Sequence, residues 1–253
     1  MYIDRNAMEE ILSMYNITCQ GVLHLGAHYC EEIDVYEHHL KLGWDKMIWI
    51  DPMSEHIEYS KNMGIPNLYQ EVIGDTDDKE VVFNVANNGE SSSILELKDH
   101  AVHYPHIHYT DKRTMKTITI DTFMKKYNLD AFKYDFWNLD IQGAELMALK
   151  GGCHSLKHAK VVYLEVNAVE LYKGCPLVKD IDNFMKLHGF MRIFNSIKHS
   201  DKFGDAMYIR NDIIEQNIEA ITKSIVTIKR EFHLFSERIV SEPIKRANNN
   251  PIL

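Results

Sequence analysis

The sequence predicts an α/β fold: a doubly wound, mostly parallel sheet with helices on both faces. Short apolar, β-prone runs recur along the chain, and several end in a carboxylate or a turn. Segments with apolar residues at helical spacing separate these runs almost throughout, which is the pattern of βαβ units. The 253 residues, 45% hydrophobic and 26% charged, are the composition of one large globular domain with an appendage.

Trp137–Gly152 is the segment around which the rest is arranged. Phe136, Trp137, Leu139 and Ile141 read as a buried strand, Asp140 marks its end, and Gly143 permits a turn into a helix closed by Gly151 and Gly152. Ligands of open α/β sheets bind at the carboxyl ends of the strands, so Asp140 is a candidate site residue on position alone. A plain helix cap or a surface ion pair is the simpler role for it.

From the amino end, Asp4 is placed to cap a helix carrying Met8, Ile11, Leu12 and Tyr15 on one face. Gly21–His28 reads as a strand running into a turn, and Glu31–Lys41 as a helix. Met47–Asp51 is a second strand ending in an acid, followed by a helix that Ser54 would cap. Strand, turn, helix, strand and acid in this order make a nucleoside-binding unit in which Asp51 would accept from a ribose diol. Leu68–Ile73 is expected as a third strand ending at Gly74-Asp75, and Val81–Ala86 as another.

Asn87–Leu95 is too rich in turn formers for a core; it is either a solvated loop or a set of small donors around a ligand. His100, His103, His106 and His108 crowd one loop around Pro105. No cysteine or carboxylate joins them at ligand spacing, so a surface or substrate-facing loop is expected and no metal centre is assigned. Met115–Ile120 alternates as a strand, with Asp121 placed to cap the helix Thr122–Tyr127. Val161–Val166 is a buried strand that puts Glu165 one strand over from Asp140, so the two acids would face one cleft. Pro176–His188 reads as an amphipathic helix, and Phe190–Phe194 and Ala206–Ile209 as the last strands.

From Ile214 to Ile239 isoleucine and phenylalanine recur at alternating steps of four and three, a heptad seam without Pro or Gly. The organisation expected is a domain over residues 1–210, a long heptad helix over 211–245 and a disordered tail over 246–253. The seam over residues 214–239 is expected to join copies of the chain into a homo-oligomer, the competing role being one long helix laid across its own domain.

The net charge of -9 and pI near 5.8 argue against an electrostatic grip on nucleic acid. Four cysteines without paired spacing fit reduced thiols. No run reaches the roughly 18 apolar residues of a membrane span, and the amino terminus lacks a signal-peptide core. A cytoplasmic protein without a membrane partner is expected.

Five segments resemble the FkbM family of S-adenosylmethionine-dependent methyltransferases: HLGAHYCEE at His24–Glu32, WIDP at Trp49–Pro52, NNGESSSIL at Asn87–Leu95, LDIQGAE at Leu139–Glu145, and LEVN with ELYKGC at Leu164–Cys175. They occur in order, and the resemblance spans roughly positions 21 to 210. It implies the class I methyltransferase fold, a Rossmann-like seven-stranded sheet with its last strand antiparallel. It also implies S-adenosylmethionine as cofactor and O-methylation of a sugar, glycan or related polyol. By position, Gly26, Ala27 and His28 would form the turn under the methionine part of the cofactor, Asp51 would hold the ribose and Asp75 would lie beside the adenine. Asp140 would sit near the ammonium and the reacting centre, and His24, Ser92 and Gln142 complete the cofactor-binding set. His24 stands where most methyltransferases of this class carry an acid, and Gly26 alone remains of the glycine-rich turn.

A positioned base should help to deprotonate an alcohol. Asp140 is the first candidate and Glu165 the second, with His106 or His108 reaching in from the loop; a divalent cation held between the two carboxylates is a further possibility. Two other classes are compatible with the pattern. A nicotinamide-dependent oxidoreductase would share the ribose-binding acid but lacks its G-x-G-x-x-G. A non-catalytic oligomeric binding module would use the heptad helix as its working part.

Overall fold

The computed structural model describes residues 5–217. The chain divides into two compact units, Met1–Ile213 and Ile214–Leu253. Asp4 as a helix cap, most of the seam over 214–239 and the tail over 246–253 lie outside the described residues.

The main sheet has seven strands: β1 (Val22–Leu25), β2 (Met47–Ile50), β3 (Leu68–Tyr69), β7 (Phe136–Leu139), β8 (Val161–Asn167), β9 (Phe190–Asn195) and β10 (Phe203–Arg210). Their order is β3-β2-β1-β7-β8-β10-β9. The pairs from β3 through β8 are parallel, and β10 runs antiparallel between β8 and β9. β1, β2, β7 and β8 are buried at every position. Alternate residues feed opposite faces, as the two-residue strand period requires. Leu23, Leu25, Ile48, Ile50, Val162 and Leu164 belong to one core layer. Val22, Met47, Trp49, Val161 and Tyr163 belong to the other.

Helices α1 (Arg5–Met14), α2 (Ile33–His38), α3 (Ser54–Asn62), α4 (Asp99–His103), α5 (Ile120–Lys126), α6 (Glu145–Gly151) and α7 (Val178–Leu187) connect the strands. A second sheet of β4 (Val72–Ile73), β5 (Glu80–Ala86) and β6 (Tyr109–Ile118) has the order β4-β6-β5.

The expected strand over Leu68–Ile73 is two strands in two sheets. Leu68 and Tyr69 pair with β2, whereas Val72 and Ile73 pair with Thr117 and Ile118 of β6. The strand expected at Met115–Ile120 begins earlier, at Tyr109, because β5 pairs along it down to Ala86. Two caps also differ. Met53 occupies the cap of α3, and the Ser54 hydroxyl donates to Glu55 instead. Thr119 caps α5 by accepting from the Thr122 N–H. Asp121 reaches the turn beyond α6, where it accepts from the N–H groups of His154 and Ser155.

No helix among the described residues is long and apolar enough to cross a membrane.

Candidate active site

A cavity of about 540 Å³ opens at the carboxyl ends of the parallel strands, within the size of a small-molecule site. Its floor is the turn after β1 and the ends of β2, β7 and β8. Val72, Ile73 and Phe83 from the second sheet, with the loop at Gly89–Ser92, also line it.

Gly26 (φ +80°) makes the first turn, and its N–H donates to the Ile50 carbonyl at 2.9 Å. Asp51 follows β2 and is 5% exposed. Its Oδ1 accepts from the Met53 N–H at 2.8 Å and faces His56 Nδ1 at 3.0 Å, while Oδ2 accepts from the His28 N–H at 2.9 Å. A carboxylate has about four acceptor positions, so one remains for a ligand hydroxyl. Asp51 therefore organises the turn and α3 as well as facing the cavity, and His56 stands beside it in the lining.

Gln142 (φ +54°) and Gly143 (φ +93°) turn the chain sharply out of β7. The turn presents the Gln142 amide to the acids: Nε2 donates to Asp140 Oδ1 at 2.6 Å and to Glu165 Oε2 at 3.4 Å. Oε1 accepts from the Tyr172 hydroxyl at 2.6 Å, which fixes the orientation of the amide. Glu145 is buried beneath, with Oε1 accepting from the N–H groups of Ile141 and Gly143. Burial, with the charges of Asp140, Glu145 and Asp205, holds Glu165 well above the carboxylate range. Burial and the Asp140 charge push Asp205 up to about 7, and burial pushes Glu32 to about 7. Glu165 therefore favours its protonated form, and Asp205 passes from protonated to charged near pH 7.

The structure brings Gly26, His28, Asp51, Ser92, Asp140, Gln142 and Glu165 into one lining. His24, Ala27, Asp75 and His108 are not in it. His24 points to the other face of the sheet, against Tyr36 and Trp49, with Nδ1 3.0 Å from the Tyr36 hydroxyl. Burial lowers it to about 3, so it is neutral, and it hydrogen-bonds the Gly26 backbone from within the core. Ala27 is buried in the same layer. Asp75 is exposed because the chain has left the main sheet by Val72, and its Oδ1 accepts from the Thr76 hydroxyl. His108 is exposed at the end of the β5–β6 ladder, where its N–H donates to Asn87 Oδ1 at 3.1 Å. Ser92 faces the cavity, but its hydroxyl accepts from the Ala86 N–H and donates to the Gly89 carbonyl, so it shapes the loop.

Sequence reasoning missed His56, His100, Tyr172 and Asp205, all of which line the cavity. Tyr172 lies inside the ELYKGC segment and His100 inside the histidine-rich loop. No local signal marks Asp205; only its pairing with Glu165 across β8 and β10 brings it in. Among the described residues, the His/Cys/Asp/Glu trio close enough to share an ion is the exposed Asp34, Glu37 and His38 of α2, not a cavity cluster. Asp140 and Glu165 are bridged by the Gln142 amide rather than held around a common ion position.

A seven-stranded sheet with one antiparallel strand, and an acid-lined cavity beyond its parallel strand ends, define a Rossmann-like protein of the class I methyltransferase fold. The chain belongs to the FkbM family of methyltransferases: the model of the methyltransferase FkbM domain matches residues 24–191. It is 29% identical over 84 residues to the 2-O-methyltransferase NoeI of Sinorhizobium fredii (strain NBRC 101917 / NGR234). That match covers 33% of this chain and 34% of the relative, so the chain spans about a third of that protein's length. Among solved structures, the methyltransferase FkbM of Methylobacillus flagellatus KT is similar at 15% identity and a TM-score of 0.45, covering 76% of this chain and 44% of that one. The magnesium protoporphyrin IX methyltransferase (ChlM) of Synechocystis PCC 6803, crystallised with bound SAM, is similar at 11% identity and a TM-score of 0.39, covering 81% of this chain and 79% of that one.

The lining suits the cofactor of this family. S-adenosylmethionine carries two positive centres, a carboxylate, a ribose diol and a flat base. The cavity offers Asp140 for the positive charge, Asp51 with His56 for hydroxyls, and Val72, Ile73 and Phe83 as apolar surface. Glycine at position 26 lets the turn after β1 pack directly against the Asp140 carbonyl beneath the cavity.

Proposed function

We propose that the protein is an S-adenosylmethionine-dependent O-methyltransferase acting on a hydroxyl of a sugar, glycan or related polyol. The observation that carries this reading is the convergence of Gly26, Asp51, Asp140, Gln142 and Glu165 on one cavity. The similarity to a protein named as a 2-O-methyltransferase supports oxygen as the acceptor atom.

When bound, the cofactor supplies a methyl group already made electrophilic by its sulfonium. The chain's own residues bind, align and deprotonate. Asp51 and His56 receive ribose hydroxyls at the end of β2, and Asp140 stands at the reacting centre. Holding the acceptor oxygen in line with the methyl is the larger part of the rate gain. Asp140 accepts the hydroxyl proton, a contribution of about 10²–10⁴-fold for a positioned base. Glu165 keeps its own proton, so it serves as a hydrogen-bond donor to the acceptor instead of the second base expected from sequence. The Gln142 amide spaces the two carboxyls, and Tyr172 holds that amide in place.

The test is calorimetric titration with S-adenosylmethionine and, separately, NAD, followed by mass analysis of a broad panel of glycans and polyols. Uptake of S-adenosylmethionine alone, with one methylene added at an oxygen of some acceptor, is the expected result. Uptake of NAD instead, or methyl transfer only to nitrogen or carbon, would overturn the reading.

A further inference from the structure

The cavity divides along the sheet. The Gly26 turn and Asp51 stand over β1 and β2, whereas Glu165 and Asp205 stand over β8 and β10 as register partners in the antiparallel ladder. His100, Leu171 and Tyr172 close this second half, with Phe203 at its edge. On the reading proposed above, the first half belongs to the cofactor and the second to the methyl acceptor.

The cavity, this half included, has the lining of a site that disfavours anions. Asp140, Glu165 and Asp205 stand at this half, Glu31, Glu32 and Asp51 line the other, and no Lys or Arg is among the described residues of the lining. Phosphates and carboxylates in proteins are ordinarily met by Arg, Lys or free N–H groups at a helix start. Here the N–H groups of Ile141 and Gly143, at the approach to α6, are already taken by the Glu145 carboxylate. Above about pH 7, where Asp205 has released its proton, an entering anion would meet carboxylate charge with no Lys or Arg among the described residues of the lining to offset it, and like charges brought together oppose binding.

Two further features fit a ligand rich in hydroxyls. His100 is 7% exposed, and its Nδ1 has no hydrogen-bond partner. Buried polar atoms are normally paired, and the residue that carries this one lines the cavity. Around it stand rings: His100 lies 5.4 Å from Tyr172 and 5.0 Å from Tyr104, and Tyr104 lies 6.2 Å from Phe203. Such a wall packs against the apolar face of a sugar ring while the carboxyls take its hydroxyls.

We propose that the Glu165–Asp205 half of the cavity selects an acceptor that brings no phosphate, sulfate or carboxylate inside, so that neutral and amine-bearing polyols are its substrates and phosphorylated sugars are not. The reacting ring then arrives free of phosphate ester, as it does once a glycosyl transfer has been completed.

The experiment titrates the full chain, loaded with S-adenosylhomocysteine, against matched sets of several hexoses: the methyl glycoside, the amino sugar, the sugar phosphate and the uronate. Binding is read by saturation-transfer NMR and competition. In every set that binds, the neutral or amine member should bind at least tenfold more tightly than the phosphate or the uronate. At pH 8, where Asp205 is ionised, Asp205→Asn should narrow that gap, and Asp205→Lys should reverse it for the phosphate. Should the lysine variant fail to fold, the asparagine variant carries the comparison. A phosphate or uronate that binds as well as its neutral counterpart overturns the proposal, and so does a panel in which no neutral or amine member binds. The titrations are repeated without S-adenosylhomocysteine, so failed cofactor uptake would sink the methyltransferase reading yet still leave the charge preference measured. Neutral ligands that bind and are never methylated would likewise remove the activity and leave the selectivity.

Discussion

A Cβ on Gly26 would lie 1.7 Å from the carbonyl oxygen of Asp140. The turn after β1 and the end of β7 thus press together, backbone on backbone, and the Asp140 N–H donates to Leu25 at 2.9 Å. Gly26 also holds φ +80°, where a side chain adds strain. Gly26→Ala should therefore lower stability by about 2–4 kcal/mol, through strain and displacement together. A denaturant melt checks this, and an unchanged midpoint would show that the two turns can move apart freely.

Asp140→Asn keeps an oxygen to accept from Gln142 and should keep the fold. Its amide cannot take up a proton, so methyl transfer should fall by about 10²–10⁴-fold. Melting temperature and turnover measured on one preparation separate the two effects. Turnover equal to that of the wild type would remove Asp140 from catalysis.

Asp51 receives three donors on two oxygens. An asparagine there presents an NH₂ to at least one N–H, leaving a buried donor unpaired at a cost of about 1–3 kcal/mol. Asp51→Asn should lose stability by that amount and weaken S-adenosylhomocysteine binding at least about tenfold, which is ~1.4 kcal/mol. Calorimetry that gave undiminished affinity would assign Asp51 to the turn alone.

Asp205 has a folded pKa of about 7, raised first by burial and then by Asp140. Between roughly pH 4 and pH 7 the folded chain holds a proton that the unfolded chain has released, so this group makes stability fall as pH rises. The penalty is fully developed above about pH 7. Asp205→Asn removes it and should stabilise the protein by on the order of 2 kcal/mol at pH 8, with the gain fading as the pH approaches about 4. Melting curves across that range test the sign; a gain that grew towards acid pH would contradict it.

The isoleucine seam over residues 214–239 leads to a separate expectation. Replacing Ile218 and Ile225 together by Asp should convert an oligomer to a monomer in sedimentation equilibrium while cofactor binding persists. A wild-type chain that sediments as a monomer would dismiss the seam as a self-association element.

The parallel strands were legible because burial on both faces leaves short, nearly continuous apolar runs, and an acid at the end of such a run is conspicuous. Asp51, Asp140 and Glu165 were read that way, and all three line the cavity. The break between Tyr69 and Val72 was not legible, since an apolar run carries no mark where its hydrogen-bonding partner changes. The histidine-rich loop shows the same limit. His100 faces the cavity and His108 does not, yet nothing local to either residue tells them apart. His24 was misplaced by one step of alternation, because a residue at the end of a strand can serve the core instead of the ligand. Asp205 lay in a polar stretch, and its importance rests on a pairing distant in sequence.

The interposed strand β10 bears on how the molecule comes into being. Phe203–Arg210 is the last strand of the sheet in sequence, yet it wedges between two strands that were synthesised before it. A nascent chain can pair β1 with β2 early, but the wall that carries Asp205 is missing until nearly the whole domain has left the ribosome. Any fragment that stops short of Phe203 leaves one long edge of β8 exposed and half of the cavity without a side.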